Sequence, residues 1–149
     1  MAQTAFNNKK GFSLIELMIA MMIIMVTMLA LLTSIVTSMS TNMGNEIRNT
    51  AIRVTNETAE ALLALPIDDA ELSTGSTHVN TFTTGPTGQQ AKGFPNPTQK
   101  IRGYEITYTI TWDVISSSAN LKQVNIAVAY SHKNNNYSNV SLIYKHRAI

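Results

Sequence analysis

Residues 11–36 read GFSLIELMIAMMIIMVTMLALLTSIV and follow the basic pair Lys9 and Lys10. From Leu17 to Val36 there is no charge, and Thr27, Thr33 and Ser34 alone interrupt the apolar run. About 20 such residues rise about 30 Å as a helix, the thickness of a bilayer hydrocarbon core. The stretch therefore reads as a membrane-spanning helix. Its acid, Glu16, lies inside the apolar block, where an unpaired charge costs at least ~2.5–3.5 kcal/mol. Glu16 must either snorkel to the headgroups or find a partner.

The residues ahead of the span decide between these. An ordinary secretory signal has its apolar region before the cut and small residues at it. Here MAQTAFNNKK has no hydrophobic core of its own, so removing it would leave the span in the mature chain.

Lys9–Ala20, KKGFSLIELMIA, resembles the type IV prepilin cleavage and methylation motif of pilins, minor pilins and pseudopilins. Five features stand in fixed order: a short basic leader, a glycine, an aromatic, a glutamate four residues on, and a long apolar helix. The resemblance implies that residues 1–11 are a leader, cut between Gly11 and Phe12 by a membrane-embedded prepilin peptidase, with N-methylation of Phe12. It further implies that Glu16 pairs with the N-terminal amine of a neighbouring subunit, which sets the axial stagger of a filament. The new amine, with an ordinary pKa of about 7.7–8.0, is largely cationic. Phe12 and Glu16 are one turn apart, about 6 Å of rise, so pairing within one chain stands beside pairing between chains.

At 149 residues the chain holds this span and one small domain, of about 100 residues. The expected division is a leader at 1–11, an assembly helix at 12–44 and an extracytoplasmic domain at 45–149. Residues 37–45, TSMSTNMGN, are rich in types that favour caps and turns, and Gly44 costs about 1 kcal/mol against Ala in a helix. They read as a soft segment. Helical spacing returns over 46–65, where Ile47, Ala51, Val54, Thr58, Ala61 and Leu65 form one stripe and Pro66 ends the helix. No proline interrupts 12–65, so one continuous helix is sterically allowed. Many major pilins carry a proline in the apolar region, and its absence points to a minor pilin or pseudopilin.

Residues 66–100 hold all four prolines and read as a connector, with Phe82 and Phe94 as candidate anchors. From Tyr104 to Val114 apolar and polar residues alternate strictly, the mark of a half-buried strand. A turn at 116–120, alternation at 124–130, a turn at 131–136 and Val140, Leu142 and Tyr144 complete a three-stranded antiparallel meander over 101–146. Its apolar face needs a cover, which the stripe at 47–65 supplies. The expected fold is α+β: a long N-terminal helix, transmembrane in its first half, packed on a small antiparallel sheet. The tail more loosely resembles PilV-type minor pilins. A fragment starting near Asn45 is expected to fold alone.

Motifs of chemistry are lacking. His78, His132 and His146 have no metal-ligand spacing. Asp68, Asp69 and Glu71 cluster without the order of a calcium loop and read as a solvated acidic turn. No nucleophile elbow, P-loop or dinucleotide fingerprint is present, so no catalytic residue, cofactor or metal is expected. Trp112 reads as core rather than as a ligand platform. Without Lys9 and Lys10 the chain has nine basic and nine acidic residues, and Lys92, Lys100, Arg102, Lys133, Lys145 and Arg147 are scattered, so nucleic acid is not an expected partner. There is no cysteine, so packing alone must hold the domain.

The function expected from the resemblance is that of a minor pilin, a structural or assembly subunit incorporated into, or priming, a type IV pilus. The alternative is a pseudopilin of a type II secretion system, and a third is a membrane-anchored adhesion or DNA-binding module. The implied partners are major and minor pilin subunits, prepilin peptidase, the inner-membrane assembly platform and membrane lipid. The implied location is the bacterial inner membrane, single-pass with a cytoplasmic N-terminus. From there the chain would pass into a surface pilus or a periplasmic pseudopilus.

Overall fold

The structure, a computed structural model, describes residues 11–118 and 120–147. The leader expected at 1–11, including Lys9 and Lys10, lies outside the described residues except for Gly11, as does Ala119 of the turn expected at 116–120. Helix α1, Leu14–Ala64, is unbroken. The chain divides into two compact units, Met1–Asn42 and Met43–Ile149, each contributing part of α1.

In the first unit every side chain from Leu14 to Met39 is exposed, and the helix is long and apolar enough to cross a membrane. Its threonine hydroxyls bond within the helix. Thr27 Oγ1 donates to the Ile24 carbonyl at 2.9 Å, Thr33 to Ala30 at 2.8 Å, Thr37 to Thr33 at 2.8 Å and Thr41 to Thr37 at 3.0 Å. Bonded to the preceding turn, a threonine exposes little polar surface to lipid. The helix runs unbroken through 37–45, the segment expected to be soft.

In the second unit the stripe expected from the sequence is the buried one: Ile47, Ala51, Val54, Thr58, Ala61 and Leu65 are buried, joined by Thr55 and Leu62. It covers a four-stranded antiparallel sheet of order β1-β4-β5-β6, formed by Thr77–Val79, Thr109–Ser118, Leu121–His132 and Asn135–His146. A separate hairpin pairs β2, Thr98–Ile101, with β3, Tyr104–Thr107. Ile110, Trp112 and Val114 of β4 and Val124, Ile126 and Val128 of β5 meet the helix in the core. After α1 a short 3₁₀ turn, Ala70–Leu72, follows Pro66. The helix C-terminus is capped from the sheet, where Lys145 Nζ on β6 donates to the Leu63 carbonyl, and Lys122 Nζ on β5 holds the segment after the helix through the carbonyls of Ile67 and Leu72 at 2.6 and 2.9 Å.

Three local expectations are corrected. The alternation over 104–114 is two strands in two sheets, with Tyr108 between them. The Tyr108 N–H donates to the Pro97 carbonyl at 2.8 Å and its hydroxyl to the Ile47 carbonyl of α1 at 3.0 Å. Tyr104 is left 65% exposed on β3 rather than in the core. The connector at 66–100 holds the 3₁₀ turn, β1 and most of β2, stapled by two buried amides. Asn80 Nδ2 donates to the Pro95 carbonyl at 2.9 Å, and Gln89 Oε1 accepts from the Phe82 N–H at 2.9 Å. Phe94 is the aromatic anchor of this segment, and Phe82 is only half-buried, at φ +50°.

The third correction concerns β6. Asn139, Ser141, Ile143 and Lys145 face the helix, opposite Val128, Ile126, Val124 and Lys122 of β5. Val140, Leu142 and Tyr144, expected to join the covered face, are 59, 48 and 53% exposed on the other. The helix-facing polar row has its own partners, since Asn139 Nδ2 donates to Thr55 Oγ1 at 2.9 Å. Leu142→Lys is therefore expected to change the unfolding free energy by no more than about 0.5 kcal/mol. Ile143→Ala should cost about 2 kcal/mol. Urea titrations of the two variants distinguish the faces, and a large loss for Leu142→Lys would reverse the assignment.

The hairpin turns are specified locally. Arg102 and Gly103, with φ of +48° and +90°, join β2 to β3, and Lys133 and Asn134, at +51° and +62°, join β5 to β6. Two consecutive left-handed residues form the turn whose twist matches that of paired strands.

The Tyr108 phenol is pushed up to about 12. Burial is the main cause, and Tyr130 adds to it, against a hydrogen bond with Thr50 and the charge of Arg53. The folded state thus holds this proton more tightly than the unfolded chain, whose tyrosines titrate near ~10. The resulting stability is fully present below about pH 10 and is lost as pH rises through about 12. Tyr108→Phe should flatten the alkaline decline in urea midpoint. Part of the decline should persist through Tyr130, whose phenol burial also raises, against the charge of Arg48. An unchanged decline in the variant would remove Tyr108 as its source.

Candidate functional site: the start of the apolar helix

Gly11, Phe12 and Ser13 precede the helix in non-helical, exposed backbone, with Phe12 93% exposed. A Cβ added at Gly11 would meet nothing within 4 Å, so no contact among the described residues requires a glycine there. The bond between Gly11 and Phe12 therefore lies in exposed, non-helical backbone, one residue before the cap.

Ser13 is that cap. Its Oγ accepts from the Ile15 and Glu16 N–H groups at 3.2 and 3.4 Å, and Glu16 Oε2 accepts from the Ser13 N–H at 2.8 Å. This is a reciprocal capping box, three otherwise orphaned donors satisfied by two side chains. The sequence signal for it was present as Ser-x-x-Glu ahead of an apolar run, and the reading of Glu16 as a charge in search of a partner passed over it. One carboxylate oxygen of Glu16 thus serves the fold of its own helix. A capping bond to a neutral N–H does not neutralise the charge, which stays available to a cation near the helix start.

The remaining candidates are absorbed by the fold. Asp69 takes Lys92 at 2.6 Å, and Asp68 takes Arg147 through both oxygens at 2.8 and 2.9 Å, so the acidic turn is paired rather than merely solvated. Burial raises the Asp69 carboxyl, but the hydrogen bonds from Lys92 and the Glu71 N–H, with the Lys92 charge, outweigh it and hold it below its ordinary value. Arg102 pairs with Glu46 at 2.6 Å and Lys145 is buried, so the scattered cations do not gather into one face. His78 stacks on Trp112 with ring centroids 5.6 Å apart. Among the described residues no group of three or more His, Cys, Asp or Glu could hold a metal ion. Trp112 is fully buried.

Residues 6–32 match the family model for the prokaryotic N-terminal methylation motif. That match spans the Gly11–Phe12 bond, the capping box and most of the apolar run, and with the long apolar helix it supports a type IV pilin-like or pseudopilin protein. Such proteins are structural subunits, processed by prepilin peptidase and assembled with other pilins. No curated protein and no solved structure matches the chain.

Proposed function

We propose that this chain is a minor pilin, cut between Gly11 and Phe12, methylated at Phe12 and drawn from the inner membrane into a type IV pilus through Glu16. The observation that carries the reading is the methylation motif at residues 6–32, whose described part runs from exposed, non-helical residues 11–13 into an uninterrupted helix. The open surroundings of Gly11 support it, because a glycine that the fold does not need suits one that a peptidase reads. The absence of proline from the helix and of cysteine from the chain favours a minor over a major subunit. The likeness of the strand region to PilV-type minor pilins belongs to the same proposal.

Processing provides the test. Mass spectrometry of protein extracted from membranes of a strain with active prepilin peptidase should find the N-terminus at Phe12, carrying a methyl group. Recovery of the intact leader there would overturn the proposal. Where the processed chain ends up separates the subclasses: sheared surface filaments containing it mark a pilus subunit, and retention in the periplasm beside secretion machinery marks a pseudopilin.

A further inference from the structure

A groove of about 400 Å³ opens in the second unit between α1, at Gly44 and Arg48, and the β5–β6 hairpin, at Tyr130, His132, Tyr137 and Asn139. Its aromatic wall is braced. Tyr130 stacks on Tyr137 with centroids 5.4 Å apart and planes 19° off parallel, and Tyr108 meets Tyr130 edge to face at 5.6 Å from the core side. Asn139, which lines the groove, is held through its amide nitrogen by Thr55 Oγ1.

Arg48 supplies the charge. The cations Arg53, Lys92, Arg102 and Arg147 each hold a carboxylate within 4.0 Å, whereas among the described residues Arg48 holds none. Its side chain is exposed, and its charge reaches the Tyr130 phenol. An unpaired guanidinium beside a fixed aromatic wall, rimmed by amides, is specific in what it can take. A phosphate would draw on several cations or a nest of backbone N–H groups. One planar fork suits one carboxylate, the flat ring suits the apolar face of a ring with axial C–H bonds, and the amides suit hydroxyls.

We propose that this groove binds an acidic saccharide, a uronate, with its carboxylate on Arg48 and a sugar face on Tyr137. The inference does not depend on whether the chain serves a pilus or a pseudopilus.

The probe is trigalacturonate, titrated calorimetrically into the full chain in detergent, beside the neutral trisaccharide maltotriose and the acidic peptide triglutamate. Saturable binding of trigalacturonate is expected, weakened about tenfold or more by Arg48→Gln, as loss of a charge-assisted bond implies. Tyr137→Leu should weaken it as well, and maltotriose should bind at least about tenfold less tightly. Both substitutions are at exposed positions, and melting curves matching the unsubstituted chain confirm folding. If Arg48→Gln melts early, Arg48→Lys replaces it, keeping the charge and losing the fork. No saturable binding, equal binding by the Arg48 variant, or equal binding of maltotriose would each overturn the proposal. Triglutamate binding as tightly as trigalacturonate would overturn it too, assigning the groove to a carboxylate of a protein partner.

Discussion

Trp112→Ala is expected to cost the second unit about 3–5 kcal/mol, the usual loss for truncating a fully buried aromatic residue. Trp112 is 0% exposed, and from β4 it reaches its ladder partner His78 on β1 together with Phe94 and Glu71 of the connector, which lie in no strand. The indole stacks on Phe94 with centroids 5.0 Å apart and on His78 at 5.6 Å, and its Nε1–H donates to the Glu71 carbonyl at 2.8 Å. The alanine variant would leave a cavity under the sheet and an unpaired buried carbonyl in the connector. In a domain without disulfides, whose total stability is expected within about 5–15 kcal/mol, that is a large share. The measurement is a urea titration of a fragment beginning at Met43, since Met43 already packs against the core and the second unit starts there. Starting at Asn45, as the sequence alone suggests, would discard that contact. An unchanged urea midpoint would show that the indole is not part of the core.

Glu16→Gln is expected to reduce recruitment into filaments sharply while leaving cleavage, membrane insertion and the soluble unit intact. The capping box makes this substitution clean. Glutamine can accept from the Ser13 N–H as glutamate does, so the helix start is preserved and only the charge is deleted. Ser13→Ala is the complementary change: it removes the acceptor for the Ile15 and Glu16 N–H groups, at a cost of about 1 kcal/mol, and keeps the charge. If the carboxylate works by pairing with a cationic amine at Phe12 of a neighbour, where an unpaired buried charge is expensive, recruitment should follow the charge and not the cap. The fraction of tagged protein in sheared pili against the membrane pool, with the unsubstituted major subunit present, reads this directly. Glutamine equal to glutamate, with Ser13→Ala defective, would assign Glu16 to the helix cap alone.

Local chemistry by itself determined several features of this protein. Apolar residues without charge from Leu17 to Val36 can only be a span or a buried helix, and the order of the basic pair, Gly11, Phe12 and the apolar run is the reverse of an ordinary secretory signal's. The stripe from Ile47 to Leu65 was legible because a helix repeats every 3.6 residues and one side must be covered. The place of Trp112 in the core followed from alternation in the same way. Two-fold alternation tells which residues share a face of a strand, and not which face the helix covers. On β6 that choice fell to the polar row, because Thr55 offers a hydroxyl to Asn139 and the helix end at Leu63 offers a carbonyl to Lys145, while Val140, Leu142 and Tyr144 turn outward. The change of sheet at Tyr108 was likewise invisible in a perfect alternation, as was the bond of its hydroxyl to the Ile47 carbonyl, distant in sequence and adjacent only in the folded unit. The connector from Pro66 to Lys100 has no period to read: its order comes from Asn80, Gln89 and Phe94 finding partners across the fold, and such long-range pairings exist only once the sheet and helix have closed around them.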